Sequence, residues 1–193
     1  MGIINATPDS FSDGAELQKL GADFFQLDID KALSRAEAMA AAGATFIDVG
    51  GESTRPGAFA VTEQEELDRV IPIIEAIRTR LDVCLSADTS SPTVMVQAIN
   101  SGAELINDVR ALSTPGALEA VSASKAAVCL MHMQGMPSTM QEEASQTSYK
   151  SVVEEVFEFL QARVEHCLGQ GIQRSRLLID PGFGFGKTVQ HNY

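Results

Sequence analysis

Six short apolar runs recur along the chain, and each closes on a polar side chain. They are "GIIN" to Asn5, "ATFID" to Asp48, "VCLSAD" to Asp88, "AELIND" to Asn107 and Asp108, "AAVCLMH" to His132 and "RLLID" to Asp180. Their length and β-branched content predict buried strands. Between most of them lie helical patterns. "KALSRAEAMAAAG" is rich in helix formers and stops at Gly43, a residue suited to the left-handed position after a helix. "TEQEELDRVIPIIEAIRTRL" opens with a capping box, Thr62 with Glu65. Pro72 predicts either a kink in that helix or the start of its main body. "SPTVMVQAINSG" places Ser91 as N-cap, Pro92 at the first helical position and Gly102 as terminator. "PGALEAVSAS" reads as a shorter helix. "YKSVVEEVFEFLQARVEHCLGQG" carries an apolar stripe through Val152, Val153, Val156, Phe159, Leu160 and Val164.

Strand alternating with helix predicts an α/β fold of parallel strands with right-handed crossovers. Two architectures fit, a doubly wound sheet and a (β/α) barrel. A doubly wound sheet gathers its functional groups at one switch point. A barrel draws them from the C-terminal ends of many strands. Here nearly every strand delivers a polar group at its end, which favours the barrel. The plainer alternative is that each Asp or Asn caps the next helix or turn. Two polar segments, from Ala6 to about Asp28 and "GGESTRPGA" from Gly50 to Ala58, read as functional loops.

Composition narrows the function. The chain has 193 residues, 45% of them hydrophobic, which suffices for one sizeable core. A net charge of −12 with no basic stripe argues against nucleic acid and anionic membranes. No apolar run reaches the roughly 18 residues of a membrane span, and "MGIINATPDS" lacks the character of a signal peptide. Cys84, Cys129 and Cys167 are odd in number and widely spaced. They predict buried, reduced thiols in a cytoplasmic protein.

"LLIDPGFGFGKT" resembles a phosphate-binding loop, but its spacing fails. G-x-x-x-x-G-K-[ST] ending at Gly186-Lys187-Thr188 requires glycine at position 181, which is Pro181. A dinucleotide G-x-G-x-x-G fails at Lys187. Lys187 is expected to cap local carbonyls or face solvent. His132 is expected either to line the site or to be a satisfied residue at the barrel mouth.

Six segments in order, "MGIINATPDSFSDG", "IDVGGESTRPGA", "ADTSSPTV", "INDVRAL", "CLMHMQG" and "LLIDPGFGFGKTVQHNY", resemble the dihydropteroate synthase family. The resemblance runs through essentially the whole chain. It implies a TIM barrel, a transferase of folate biosynthesis that is a sulfonamide target, and Mg²⁺ as cofactor. The implied reaction joins 6-hydroxymethyl-7,8-dihydropterin diphosphate to p-aminobenzoate, releasing diphosphate. By the same resemblance, Thr54, Asp88, Asn107, Met131, Asp180 and Phe185 bind the pterin diphosphate. Phe11, Arg55 and Pro56 shape the p-aminobenzoate pocket and its loops, and Asn5 is the metal contact. No catalytic acid or base is assigned. A homodimer is expected of the family.

Residues 1–193 are expected to form one barrel domain with only about six βα units, truncated at the C-terminus so that strands 7 and 8 are absent. The family's later Ser-Arg-Lys and Arg-x-His segments have no counterpart here, and the first loop is longer than the family's. Such an arc is expected to expose two edges and an unfilled interior. Two alternatives stay open, a methyltetrahydrofolate methyltransferase barrel and a non-catalytic pterin-binding protein.

Overall fold

The structure is a computed structural model that describes residues 1–7, 17, 27–53, 61–135 and 149–193. It contains six parallel strands in sequential order, β1 (Gly2–Asn5), β2 (Phe46–Gly50), β3 (Cys84–Asp88), β4 (Leu105–Asp108), β5 (Ala127–Met131) and β6 (Leu177–Asp180). Helices α1 (Ile29–Ala41), α2 (Glu63–Arg78), α3 (Pro92–Asn100), α4 (Ala117–Ser122) and α5 (Val152–Gly169) fall between them. Sequential parallel order with no reversal is what a (β/α) barrel lays down, and it excludes a switch-point sheet.

Local signals explain the helices. Thr62 and Glu65 form the reciprocal capping box, and Ser91 caps α3 with Pro92 in its first turn. Asp28 caps α1 by accepting from the Lys31 N–H, so that helix starts earlier than its Ala-rich run suggests. Gly43 and Gly102 take φ of +96° and +112° just past helix ends, where a side chain would be strained. Pro72 does not start α2. The helix runs through it from Glu63 to Arg78, so only the bond its missing N–H would donate is lost. On α5 the buried stripe holds Val156, Leu160 and Cys167, whereas Val153 is 76% exposed and lies off it.

The sheet has two unlike faces because side chains alternate along each strand. Ile4, Ile47, Val49, Leu85, Ala87, Ile106, Val128 and Leu130 are buried with α2 residues Val70, Ile73, Ile74 and Ile77 and α3 residues Val94 and Met95. Gly2 shares that side, and a Cβ there would stand 2.5 Å from Met39 Sδ on α1. The other face is the inside of the arc. It presents Ile3 and Leu178 about half exposed. Cys84 and Cys129 lie on it and are only partly buried, contrary to expectation, while Cys167 is buried on α5; all three thiols are free. Among the described residues no helix is long and apolar enough to cross a membrane.

Candidate functional site

Strand register assembles the site. Asn5 pairs with Gly50, Gly50 with Asp88, Asp88 with Asn107 and Asn107 with Cys129. These residues form one row across five strands on the inner face. One step lower, Ile3, Asp48, Ser86 and Leu105 form the next row. One step higher, Met131 pairs with Asp180. Five strands therefore bring Asn5, Asp48, Asp88, Asn107 and Asp180 to one concave surface, as the polar strand ends led us to expect.

β2 differs from expectation in one useful way. It does not close at Asp48 but continues through Gly50. A Cβ on Gly50 would lie 3.5 Å from Asp88 Oδ2 and 3.7 Å from Asn5 Oδ1. The absence of a side chain there leaves two oxygens facing a shared opening. Asp48, one row below, is 4% exposed and accepts a 3.1 Å hydrogen bond from Asn107 Nδ2. That contact fixes which end of the Asn107 amide faces downward, because a carboxylate accepts only from the nitrogen. Asp48 is a site member that the motif match does not supply. Its signal was its position at the end of the apolar run "ATFID".

The electrostatics of the row are unusual for so acidic a surface. Asp88 is pushed well above the usual carboxylate range, by burial first and then by the charges of Asp48, Asp108, Glu66 and Glu52. Burial also raises Asp48. Cys129 is pushed up to about 11, again by burial first, then by Asp180, Asp48 and Asp88. Its thiol is therefore protonated near neutrality and unsuited to nucleophilic work. A cationic donor beside Asp88 would offset the smaller part of that rise, the part that comes from neighbouring carboxylates.

The sixth strand adds Asp180. Its Oδ1 accepts a 2.7 Å bond from the Gly182 N–H, starting a tight turn in which Gly182, Gly184 and Gly186 all have positive φ. Met131 is 4% exposed, with its Cγ 3.2 Å from where a Cβ on Gly182 would stand. Phe185 is half-buried in the same turn. His132 sits one residue past β5, on the side opposite Met131. It packs edge-on against Phe159 of α5 with ring centroids 5.0 Å apart, so it is a satisfied packing residue and does not line the inner face. Lys187 does not face solvent: it is 6% exposed and caps carbonyls.

Asp108 also departs from the row. Its neighbour Asn107 points inward; Asp108 points outward and is wholly buried. It accepts from Ser90 Oγ and from the N–H groups of Arg110 and Leu112. It thereby holds Ala111 and Leu112 at φ of 50° and 57°, a region that residues with a side chain rarely adopt. Arg163 of α5 completes the turn by donating to the Ala111 and Leu112 carbonyls at 2.7 and 2.8 Å. Phe11, Thr54, Arg55 and Pro56 lie outside the described residues.

The family described as pterin binding enzyme matches residues 1–193. The chain is 53% identical over 193 residues to a dihydropteroate synthase of Haemophilus influenzae, covering all of this chain and 66% of that one. It is 52% identical to that of Escherichia coli, covering 64% of it. A solved Yersinia pestis dihydropteroate synthase, in complex with a sulfonamide drug, superposes with a TM-score of 0.91 at 51% identity. That alignment covers all of this chain and 66% of that one. A Burkholderia cenocepacia dihydropteroate synthase complexed with 7,8-dihydropteroate gives a TM-score of 0.80 at 46% identity, covering 98% of this chain and 60% of that one. The chain thus spans just under two thirds of the length of these relatives.

Proposed function

The chain belongs to the pterin-binding enzyme family, and we propose on that basis that it carries the pterin site of a dihydropteroate synthase. The reaction would condense 6-hydroxymethyl-7,8-dihydropterin diphosphate with p-aminobenzoate to give 7,8-dihydropteroate and diphosphate. The observation that carries this reading is the register row, in which Asp88 and Asn107 stand side by side next to the opening at Gly50. Asp180 lies on the same face, two strands from Asn107. A pterin presents a guanidine-like donor edge, for which carboxylates are the matching acceptors. It also has ring acceptors that an amide N–H satisfies. Met131 and Phe185 supply apolar surface against the ring.

In this proposal the carbon–oxygen bond between the exocyclic methylene and diphosphate breaks. The p-aminobenzoate amine forms the new carbon–nitrogen bond and then loses a proton. The chain's own residues orient the ring and stabilise the charge that develops on it, through Asp88, Asn107 and Asp180. Thr54 would bind diphosphate, and Phe11, Arg55 and Pro56 would order the amine site.

Magnesium fits the donor set. Asn5 Oδ1 and Asp88 Oδ2 are hard oxygen donors beside the opening at Gly50. Among the described residues no group of three His, Cys, Asp or Glu side chains is placed to hold a metal. A cation that keeps its waters and is shared with a substrate's phosphates needs only one or two protein oxygens. Bound there through Asn5, Mg²⁺ would supply charge for the departing diphosphate. Cytoplasmic location and homodimerisation belong to the same proposal.

Release of diphosphate on adding p-aminobenzoate to the complete gene product with the pterin diphosphate tests the reading. Asp88→Asn should weaken pterin binding on the order of a hundredfold, the loss of one charge-assisted pair. Asp180→Ala should abolish it. Calorimetry that finds either variant binding the pterin like the unaltered protein would refute these assignments.

A further inference from the structure

Two turns, one after β5 and one after β6, touch backbone to backbone. A Cβ on Gly182 would stand 2.0 Å from the His132 carbonyl oxygen, and one on Gly186 would stand 2.3 Å from that of Gln134. The two turns are further tied by the His132 N–H, which donates to the Asp180 carbonyl at 2.9 Å. Contacts this close put several carbonyl oxygens into a small volume, where they repel one another unless a donor sits among them.

Lys187 is that donor. Its Nζ lies 2.8 Å from the Gly182 carbonyl, 3.2 Å from that of Phe185 and 3.3 Å from that of His132. It is also 3.0 Å from His132 Nδ1. With Lys187 donating, Nδ1 acts as acceptor and the imidazole is neutral, its proton on Nε2. The Tyr149 hydroxyl adds a 3.3 Å bond to the Gly186 carbonyl. Tyr149 is stacked edge-on against His191 with centroids 4.9 Å apart.

Resting on the functional reading above, we propose that Lys187 is a positioning residue of the pterin site. Its ammonium clasps the Gly182–Phe185 turn onto the end of β5 and so holds Phe185 and Met131 in place as one wall. Lys187 touches no part of the pterin itself; it acts through the backbone that carries Phe185 and through Gly182, against which Met131 packs. A hydrocarbon of the same length cannot replace it, because the carbonyls would then face one another unbridged.

The titration behaviour agrees. Burial lowers Lys187 to about 8, while the charge of Asp180 resists the fall. Burial and the Lys187 charge together hold His132 down at about 4, so it stays a neutral acceptor through the useful pH range. The other titratable groups around the clasp are Tyr149 and Glu155 at the start of α5 and His191 beyond β6. The clasp should therefore slacken as pH rises through about 8, where the ammonium becomes an amine with fewer hydrogens to share.

The experiment uses the complete gene product with Lys187→Met and Lys187→Arg, reading pterin affinity by calorimetry and backbone hydrogen exchange at Gly182 and Phe185. Lys187→Met should weaken pterin binding roughly tenfold, the size of loss that a slightly misplaced wall brings. It should also speed exchange at Phe185, whose N–H bonds the Gly182 carbonyl. The unaltered protein should lose affinity above about pH 8, and Lys187→Met should not. Unchanged exchange at Phe185 in Lys187→Met overturns the clasp, whether or not pterin binds. Faster exchange with unchanged affinity overturns its role in the site. Should Lys187→Met fail to fold, the pH profile of the unaltered protein and the Lys187→Arg variant decide: a flat profile with full affinity in Lys187→Arg overturns the proposal. Complete absence of pterin binding in the unaltered protein would remove the functional reading, while the exchange result would still judge the clasp.

Discussion

Asn107 and Asp108 are adjacent in sequence and opposite in role. Asn107 points into the arc and, among the described residues, makes one side-chain hydrogen bond, to Asp48. Asp108 points outward, is fully buried and accepts three hydrogen bonds from Ser90, Arg110 and Leu112. Strand pleating alone separates them. The pair shows that polar residues at strand ends form two populations. Outward-facing ones are saturated by their own turn and hold the fold. Inward-facing Asp88 and Asn107 keep unused hydrogen-bonding capacity, which is the condition for binding something else, whereas Asp180 also accepts from its own turn at Gly182. The plainer alternative, a side chain that caps the next turn, therefore holds for Asp108, while among the described residues the Asp88 and Asn107 side chains cap no helix or turn.

This contrast can be broken by substitution. The largest effect should come from Asp108→Ala, which leaves three donors unpaired and a left-handed turn unsupported. It should cost about 3 kcal/mol of stability, read as a lowered denaturant midpoint, with pterin affinity of the folded fraction nearly intact. A full loss of binding without loss of stability would reverse the assignment.

Glu66 on α2 sharpens the rule by being its exception, an outward-side carboxyl that is 6% exposed with one oxygen unpartnered among the described residues. Burial pushes it up to about 7 from an ordinary value of 4.5. The folded state then holds its proton more tightly than the unfolded one. That contribution is fully present below about pH 4.5 and is lost as pH rises through about 7. Glu66→Gln should flatten this slope and raise stability at pH 8 by about 1 kcal/mol. Thermal unfolding across pH 5 to 8 is the measurement.

Asp48→Asn should have the smallest effect on stability, within about 1 kcal/mol, because its amide oxygen can still accept from Asn107. Binding should suffer more than stability, since either end of the new amide can now face Asn107. Equal losses in both would place Asp48 with Asp108 as a fold-holding residue.

Much of this was legible in the sequence, and the exceptions have physical causes. The six strands follow from short apolar runs bounded by turn residues, and the caps at Thr62 and Ser91 follow from local chemistry. Periodicity could not say which of Asn107 and Asp108 faces inward, since that depends on register with β3 and β5. Nor could it extend β2 through Gly50, whose place is set by pairing with Asn5 and Asp88. Asp88, Asn107, Met131, Asp180 and Phe185 entered through motif resemblance. The inner-face register accounts for Asp88, Asn107, Met131 and Asp180. The sequence offered a carbonyl cap for Lys187 and a satisfied packing place for His132 each as one of two alternatives; it could not show that the two residues meet, because that depends on two turns more than 50 residues apart coming together in space.

The left-handed turn at Ala111 and Leu112 also has a history in time. Its carbonyls are secured by Arg163, which follows Ala111 by 52 positions. On a ribosome adding about 5–20 residues per second, that separation amounts to roughly 3–10 s of synthesis. Through that interval β4 and its turn have left the synthesis machinery without their lock. The nascent chain must tolerate an unfinished β4 until α5 emerges and docks.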